Sequence, residues 1–214
     1  MGKSYKDWPL AEESTQLATF GAGCYWGTEK FYAKDYEKLF PGSILATKVG
    51  FMSVKEEGKP VVTHSKGTIF EPEAPEVPTY REVCSGLTGH AEVVRVVFDT
   101  QLVSYETILE VFLTTHDPTT LNRQGADMGT QYRSVIFYSS PEEEKNATAV
   151  IHKLSPLFST PIVTTLEPLI QFFKAESEHR DYYNNHSNQG YCQVVINPKI
   201  AKLKALYKTL LKDS

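Results

Sequence analysis

The sequence predicts an α+β protein: a two-layer ferredoxin-like plait, with helices packed on a mixed β-sheet and an irregular C-terminal segment. Three observations lead there. Strand-like and helix-like stretches alternate along the chain. Two of the strands, at 44–52 and 91–98, follow each other with no helix between them, so a doubly wound crossover sheet does not fit. The length, 214 residues, suits one domain whose core needs no covalent staples. The whole of 1–214 therefore reads as a single domain, with a long loop insertion at about 51–78.

The elements follow in order. TQLATF at 15–20 is a strand. Trp26–Phe40 carries apolar residues near helical spacing (Trp26, Phe31, Tyr32, Tyr36, Leu39, Phe40) and Pro41-Gly42 stops it. Ile44–Met52 is a second strand. Periodicity then vanishes, and Pro60, Pro72, Pro75 and Pro78 punctuate a run rich in Lys and Glu, which marks an irregular insertion. AEVVRVVF at 91–98 is a strand whose Val94 and Val96 break strict alternation, as in a strand buried on both faces in places. Ser104 opens a helix with apolar face Ile108, Leu109, Phe112 and Leu113, running to His116 before Pro118. Residues 119–130 read as a loop, 131–138 as a strand, and Pro141 to about His152 as a helix. Ile162–Leu166 is a further strand and Lys174–Tyr183 a short helix. A last amphipathic helix starts at Asn197-Pro198.

Composition excludes several classes. Hydrophobic residues make up 41% and charged residues 22% of the chain, an ordinary globular balance. The net charge of −4 and the lack of a basic stripe argue against nucleic acid. No apolar stretch approaches the ~20 residues of a membrane span. The stretch MGKSYKDWPLAEES has no apolar h-region, so no secretory signal is expected, and Lys6 stands where a myristoylation motif needs Ser or Thr. A cytoplasmic protein is the expectation, with organelle targeting left open. The three cysteines, Cys24, Cys84 and Cys192, lie far apart, form no C-x-x-C and have no metal-like pairing with histidine, so neither a zinc site nor another bound cofactor is expected.

Chemistry is concentrated at FGAGCYWGTEKFY, residues 20–32, where an apolar strand ends in Gly-Ala-Gly, then a thiol, then two aromatics entering a helix. Three mechanisms compete. A phosphate cradle of dinucleotide type needs G-x-G-x-x-G; here Gly27 comes one position late, and Tyr25 and Trp26 would crowd a phosphate. A cysteine phosphatase needs arginine six positions after the thiol, where this chain has Lys30. Redox or nucleophilic chemistry fits better. A cysteine at a helix N-terminus faces free backbone N–H groups that favour thiolate. The Tyr25–Trp26 pair offers a surface for something small and apolar, although filling the start of a helix would also account for it.

GAGCYWGTEKFY resembles the active-site motif G-C-F-W-G of the A-type peptide-methionine sulfoxide reductases. The likeness continues through YREVCSGLTGHAE (80–92), HDPT (116–119), RQGADMGTQYRS (123–134), AESEHRDYY (175–183) and QGYC (189–192), and covers most of 15–199. It implies an enzyme that reduces methionine S-sulfoxide, free or in proteins. Cys24 would attack the sulfoxide sulfur, and Glu92, kept neutral by a partly apolar pocket, would protonate its oxygen. Tyr80 and Tyr132 would add phenolic donors. Tyr25 and Trp26 would hold the S-methyl group and Asp127 the substrate amide. Cys192, in a Gly-containing segment expected to be mobile, would resolve the Cys24 sulfenic acid into a disulfide, recycled by thioredoxin or, in vitro, dithiothreitol. The protein would be a monomer.

The chain departs from the family pattern in three ways. Tyr25 stands where Phe is usual, the insertion at 51–78 is longer than in many relatives, and no cysteine follows Cys192. Cys84, His90, His116 and His179 read as structural, and for Tyr183 and Tyr191 packing and pocket-wall roles weigh equally. A redox sensor switching between Cys24 and Cys192 is the alternative from another class, and a generic thiol transferase comes third.

Overall fold

The computed structural model describes residues 14–52, 79–170, 172–179, 181–197 and 201. The insertion beyond Met52 and nearly all of the helix expected from Asn197-Pro198 lie outside these residues. The strands are β1 (Thr15–Ala22), β2 (Ile44–Met52), β3 (Ala91–Asp99), β4 (Arg123–Gln124), β5 (Asp127–Met128), β6 (Ser134–Tyr138), β7 (Thr165–Pro168) and β8 (Phe173–Lys174). The α-helices are α1 (Tyr25–Lys30), α2 (Tyr80–Cys84), α3 (Tyr105–Thr115), α4 (Pro141–Leu154) and α5 (Tyr182–Asn185).

Six strands form one mixed sheet in the order β7-β6-β1-β3-β2-β8. Its middle four, β6-β1-β3-β2, are antiparallel throughout. With α1 between β1 and β2 and α3 between β3 and β6, this is the predicted ferredoxin-like β-α-β-β-α-β plait. β7 adds to β6 in parallel and β8 to β2 antiparallel, widening the sheet at both edges.

Side chains alternate across the sheet. Ala18, Phe20 and Ala22 of β1, Val49 and Phe51 of β2, and Val94, Val96 and Phe98 of β3 face the helices, meeting Phe31, Tyr32, Ile108, Leu109 and Phe112. The opposite face of β3 carries Ala91 and Val93, which pack with Met52, Val135 and Phe137 under Leu169 and Phe172. Both faces are covered, which is why β3 loses strict alternation. Its even-numbered positions look toward the helices, and Glu92 is one of them.

The first helix is longer than α1 alone. A wide π turn at Phe31–Asp35 and a tight turn at Tyr36–Lys38 continue it. The wide turn re-phases the chain so that Phe31, Tyr32 and Tyr36 all reach the core. Ser104 and Ser140 cap α3 and α4, accepting from the backbone N–H groups of Thr107 and Glu143. His116 ties α3 to β6: its Nδ1 donates to the Phe112 carbonyl at 2.6 Å and its Nε2 accepts from Ser134 Oγ at 2.7 Å.

Several expectations shift. Residues 162–166 become a strand only from Thr165, in register with β6 (Val135 opposite Thr165). The helix expected at 174–183 is replaced by β8, a short turn at Ser177–His179, and α5. Pairing of Phe173 with Phe51 captures the start of that stretch for the sheet. The loop at 119–130 contains a small hairpin, β4–β5, turning at Gly125 with φ +61°. α2 was absent from the periodicity reading. Its signal is the capping box Thr79-Tyr80-Arg81-Glu82: Thr79 Oγ1 accepts from the Glu82 N–H at 3.3 Å, and Glu82 Oε2 accepts from the Thr79 N–H at 2.9 Å.

His90, just before β3, is 1% exposed, and its ring meets the Phe173 ring edge-on at 5.4 Å. Burial pushes its pKa down to about 4, with the charge of Arg133 acting in the same direction. Between about 6.5 and 4 the unfolded chain therefore holds a proton on this ring that the native protein does not, and stability falls as the pH drops through that window. Urea unfolding at pH 7.5 and 5.0 will show a loss of about 2 kcal/mol that a His90→Gln variant lacks.

Candidate functional site

The site begins where β1 runs into α1. Two glycines shape this junction for different reasons. At Gly21 a Cβ would lie 2.9 Å from both the Glu92 carbonyl oxygen and Val135 Cγ1, so β1 closes on its neighbours only without a side chain. Gly23 has φ +79°, and a Cβ there would meet the Gln124 side chain at 2.5 Å. Cys24 follows at the N-cap of α1, 9% exposed. Its thiol makes no capping bond to the helix.

The cap comes from the neighbouring sheet. Glu92, 1% exposed, points at the start of α1, and its Oε2 accepts the Tyr25 backbone N–H at 3.1 Å. Antiparallel pairing of Phe51 with Glu92 and of Phe20 with Val94 fixes that aim. The carboxyl and the thiol thus sit on the same side of the sheet, joined through one backbone amide.

Tyr80 opens α2, and its backbone N–H is held by Glu176 Oε1 at 3.1 Å. Tyr132 closes a single tight turn, Thr130–Tyr132, with its N–H on the Gly129 carbonyl at 3.0 Å. Burial is the largest cause that raises the pKa of both phenols. They remain protonated donors at any working pH. Tyr25 and Tyr191 are shifted the same way, again by burial first.

Trp26 is the centre of an aromatic wall. Tyr182 stacks on it at 3.7 Å and 9°, His179 at 5.8 Å and 14°, Tyr80 at 6.5 Å and 20°, and Tyr191 meets it edge-on at 5.7 Å. Tyr25 packs on Phe51 at 5.9 Å and on His179 at 6.0 Å. Its hydroxyl, the group that distinguishes it from Phe, has no hydrogen-bond partner among the described residues.

Asp127 enters from the β4–β5 hairpin. Tyr191 Oη donates to Asp127 Oδ2 at 2.8 Å, and after burial the nearby Cys24 is the next cause that raises the Tyr191 pKa. Tyr191 therefore lies near two candidate site residues. Its place in the QGYC run beside Cys192 was the available sequence signal.

Cys192 departs from expectation. It lies in a helical stretch, Cys192–Ile196, at 0% exposure, packed with Trp26, Tyr182, Tyr183 and Tyr191. Burial raises its pKa. Tyr182 Oη donates to Gln189 Oε1 at 2.7 Å, and Gln193 Nε2 to the Ser187 carbonyl at 2.7 Å, so local bonds order the segment that was read as mobile. Cys24, Cys84 and Cys192 form no disulfide with one another.

Among the described residues no cluster of His, Cys, Asp and Glu could hold a metal ion, and no helix is long and apolar enough to cross a membrane. A thiol at a helix start, a buried carboxyl beside it and protonated phenols around both make this a thiol-dependent oxidoreductase site on a ferredoxin-like plait. Residues 16–210 match the family profile described as "Peptide methionine sulfoxide reductase", and the chain belongs to that family. Peptide methionine sulfoxide reductase MsrA of Deinococcus radiodurans is 43% identical over 199 residues, 92% of this chain and 84% of that protein. The MsrA of Leptospira borgpetersenii is 44% identical over 200 residues, 93% of this chain and 99% of that one. The crystal structure of Mxr1 from Saccharomyces cerevisiae in reduced form is 31% identical and covers 84% of this chain and 90% of its own, with a TM-score of 0.69. Family members are oxidoreductases that reduce methionine sulfoxide.

Proposed function

We propose that this single-domain protein reduces methionine S-sulfoxide, free or within proteins, with Cys24 as nucleophile and Glu92 as acid, and so repairs oxidised proteins in the cytoplasm as a monomer. The observation that carries the assignment is the 3.1 Å bond from the Tyr25 N–H to Glu92 Oε2, which brings a buried carboxyl to the start of the helix that Cys24 caps.

The roles follow from chemistry. A sulfoxide sulfur resists attack until its oxygen gains a proton or strong hydrogen bonds. A neutral Glu92 can keep Oε2 as acceptor of the backbone amide and deliver a proton from Oε1. Tyr80 and Tyr132 donate to the same oxygen as negative charge grows on it. Tyr25 and Trp26 hold the S-methyl group, and Asp127 accepts the substrate backbone amide through the oxygen that Tyr191 does not occupy. The Cys24 thiolate attacks sulfur, oxygen passes with its new proton to Cys24, and methionine leaves. Cys24 is then a sulfenic acid. The Cys192 thiol displaces water from it and forms the Cys24–Cys192 disulfide. Thioredoxin, a small dithiol protein, or dithiothreitol in vitro, reduces that bond.

With dithiothreitol as reductant, a Cys24→Ser variant will show no turnover of the S epimer, measured as methionine formed; turnover at the wild-type rate would defeat the assignment. Cys192→Ser will make about one methionine per enzyme in a single round and then stall with thioredoxin. Steady cycling of that variant with thioredoxin would remove Cys192 from the resolving role. Replacing the acid, Glu92→Gln, will slow the reductive step by about 100-fold or more while iodoacetamide still alkylates Cys24; an unchanged single-turnover rate would take the proton-donor role away from Glu92.

A further inference from the structure

Arg133 directly follows Tyr132, and the mechanism above has no use for it. Its side chain is nevertheless only 13% exposed, as is that of Glu167 on the edge strand β7. The two meet as a fork: Nε donates to Glu167 Oε1 at 3.3 Å and Nη2 to Oε2 at 3.0 Å. Thr165 Oγ1 donates to the same Oε1 at 2.8 Å and so helps to orient the carboxylate. The third nitrogen, Nη1, donates to two backbone carbonyls, Thr130 at 3.1 Å and Gly89 at 3.2 Å. One guanidinium therefore joins three segments: β7, the tight turn Thr130–Tyr132, and the loop that enters β3 three residues before Glu92. Two further bonds run the same way. Gln131 Nε2 donates to the Cys84 carbonyl at 3.3 Å, and Thr130 Oγ1 to the Gly86 carbonyl at 3.4 Å. The turn is thus sewn to residues 84–89 at three carbonyls, and Arg133 makes the stitch nearest to Glu92 along the chain. The backbones on either side meet again at β1, where a Cβ on Gly21 would lie 2.9 Å from the Glu92 carbonyl oxygen and 3.1 Å from that of Arg133.

We infer that Arg133 is a positioning residue: its guanidinium clamps the turn bearing Tyr132 to the entry of β3 bearing Glu92, and so sets the phenolic donor and the acid in register for one sulfoxide oxygen. The inference rests on the donor and acid roles proposed above. Arginine suits the task because its planar fork can grip a carboxylate along one edge and still spend its remaining donors on carbonyls. A lysine ammonium is a point charge and cannot span the same three segments. Donors fixed before the substrate arrives need no reorganisation during the reaction, and a displacement of ~1 Å at such a group can cost up to about 100-fold in rate.

The test is the single-turnover rate of methionine formation from a peptide methionine S-sulfoxide at saturating concentration, with the rate of Cys24 alkylation by iodoacetamide measured beside it. Arg133→Met removes the clamp, and Arg133→Lys keeps the charge without the fork should the Met variant fail to fold. Either will slow the reductive step by about ten-fold, while the half-saturating concentration and the alkylation rate stay within about two-fold of wild type. In a Tyr132→Phe background, itself slower than wild type, the same Arg133 substitutions will slow the step by less than about two-fold further. The inference is overturned by a wild-type single-turnover rate in both Arg133 variants, or by equal slowing with and without the Tyr132 hydroxyl, which would mean a general structural effect. A Tyr132→Phe enzyme at full rate would defeat the donor role and this inference with it, and a silent wild-type enzyme would defeat the sulfoxide assignment on which both stand.

Discussion

Everything at this site depends on one carboxyl group being held out of water. Glu92 is 1% exposed on the helix side of the sheet, and its Oε2 accepts a backbone amide. Burial disfavours the charged form of a carboxyl, and a protonated acid is what the proposed attack on an S=O bond requires. The architecture can be read as the means to this end. Closely packed strands exclude solvent, Gly21 lets β1 approach the Glu92 carbonyl, and α1 supplies an N–H group that anchors one carboxyl oxygen. The phenols inherit their state from the same environment, since burial holds them protonated.

The helical side of the sheet carries a division of labour. The N-terminal half of the plait brings the thiol and the aromatic pair that follows it. The crossing from β2 to β3 brings Tyr80 and Glu92, the loop before β6 brings Asp127 and Tyr132, and the C-terminal segment closes the wall with His179, Tyr182 and Tyr191. Residues more than a hundred positions apart in the chain thus meet around one tryptophan. Among the described residues five rings pack on Trp26, and Cys192 lies in a cluster against it.

Much of this was legible in the sequence because local signals agreed with the tertiary result. The periodicity of β1, β2, β3 and α3 matches their burial, and the lack of a long periodic stretch between β2 and β3 marked the plait. Where the reading failed, long-range pairing had overruled local pattern. Phe173 and Lys174 read as helix but pair with β2, and β7 takes its limits from β6. α2 is five residues long, too short for periodicity, and only its capping box announces it. The candidate site was legible in its residue types and not in its contacts. That Glu92 would cap α1, that Tyr191 would hold Asp127, and that Cys192 would be buried in a helical turn are facts of distance, which spacing along a chain does not encode.

The Tyr191 contact has a consequence for timing. Tyr191 holds Asp127, and it is the immediate chain neighbour of Cys192. Any excursion that carries the second sulfur toward the first drags this ring with it and loosens the Asp127 contact. On the roles proposed above, substrate seating and thiol hand-off would compete for that one contact, with release first and the covalent reset second.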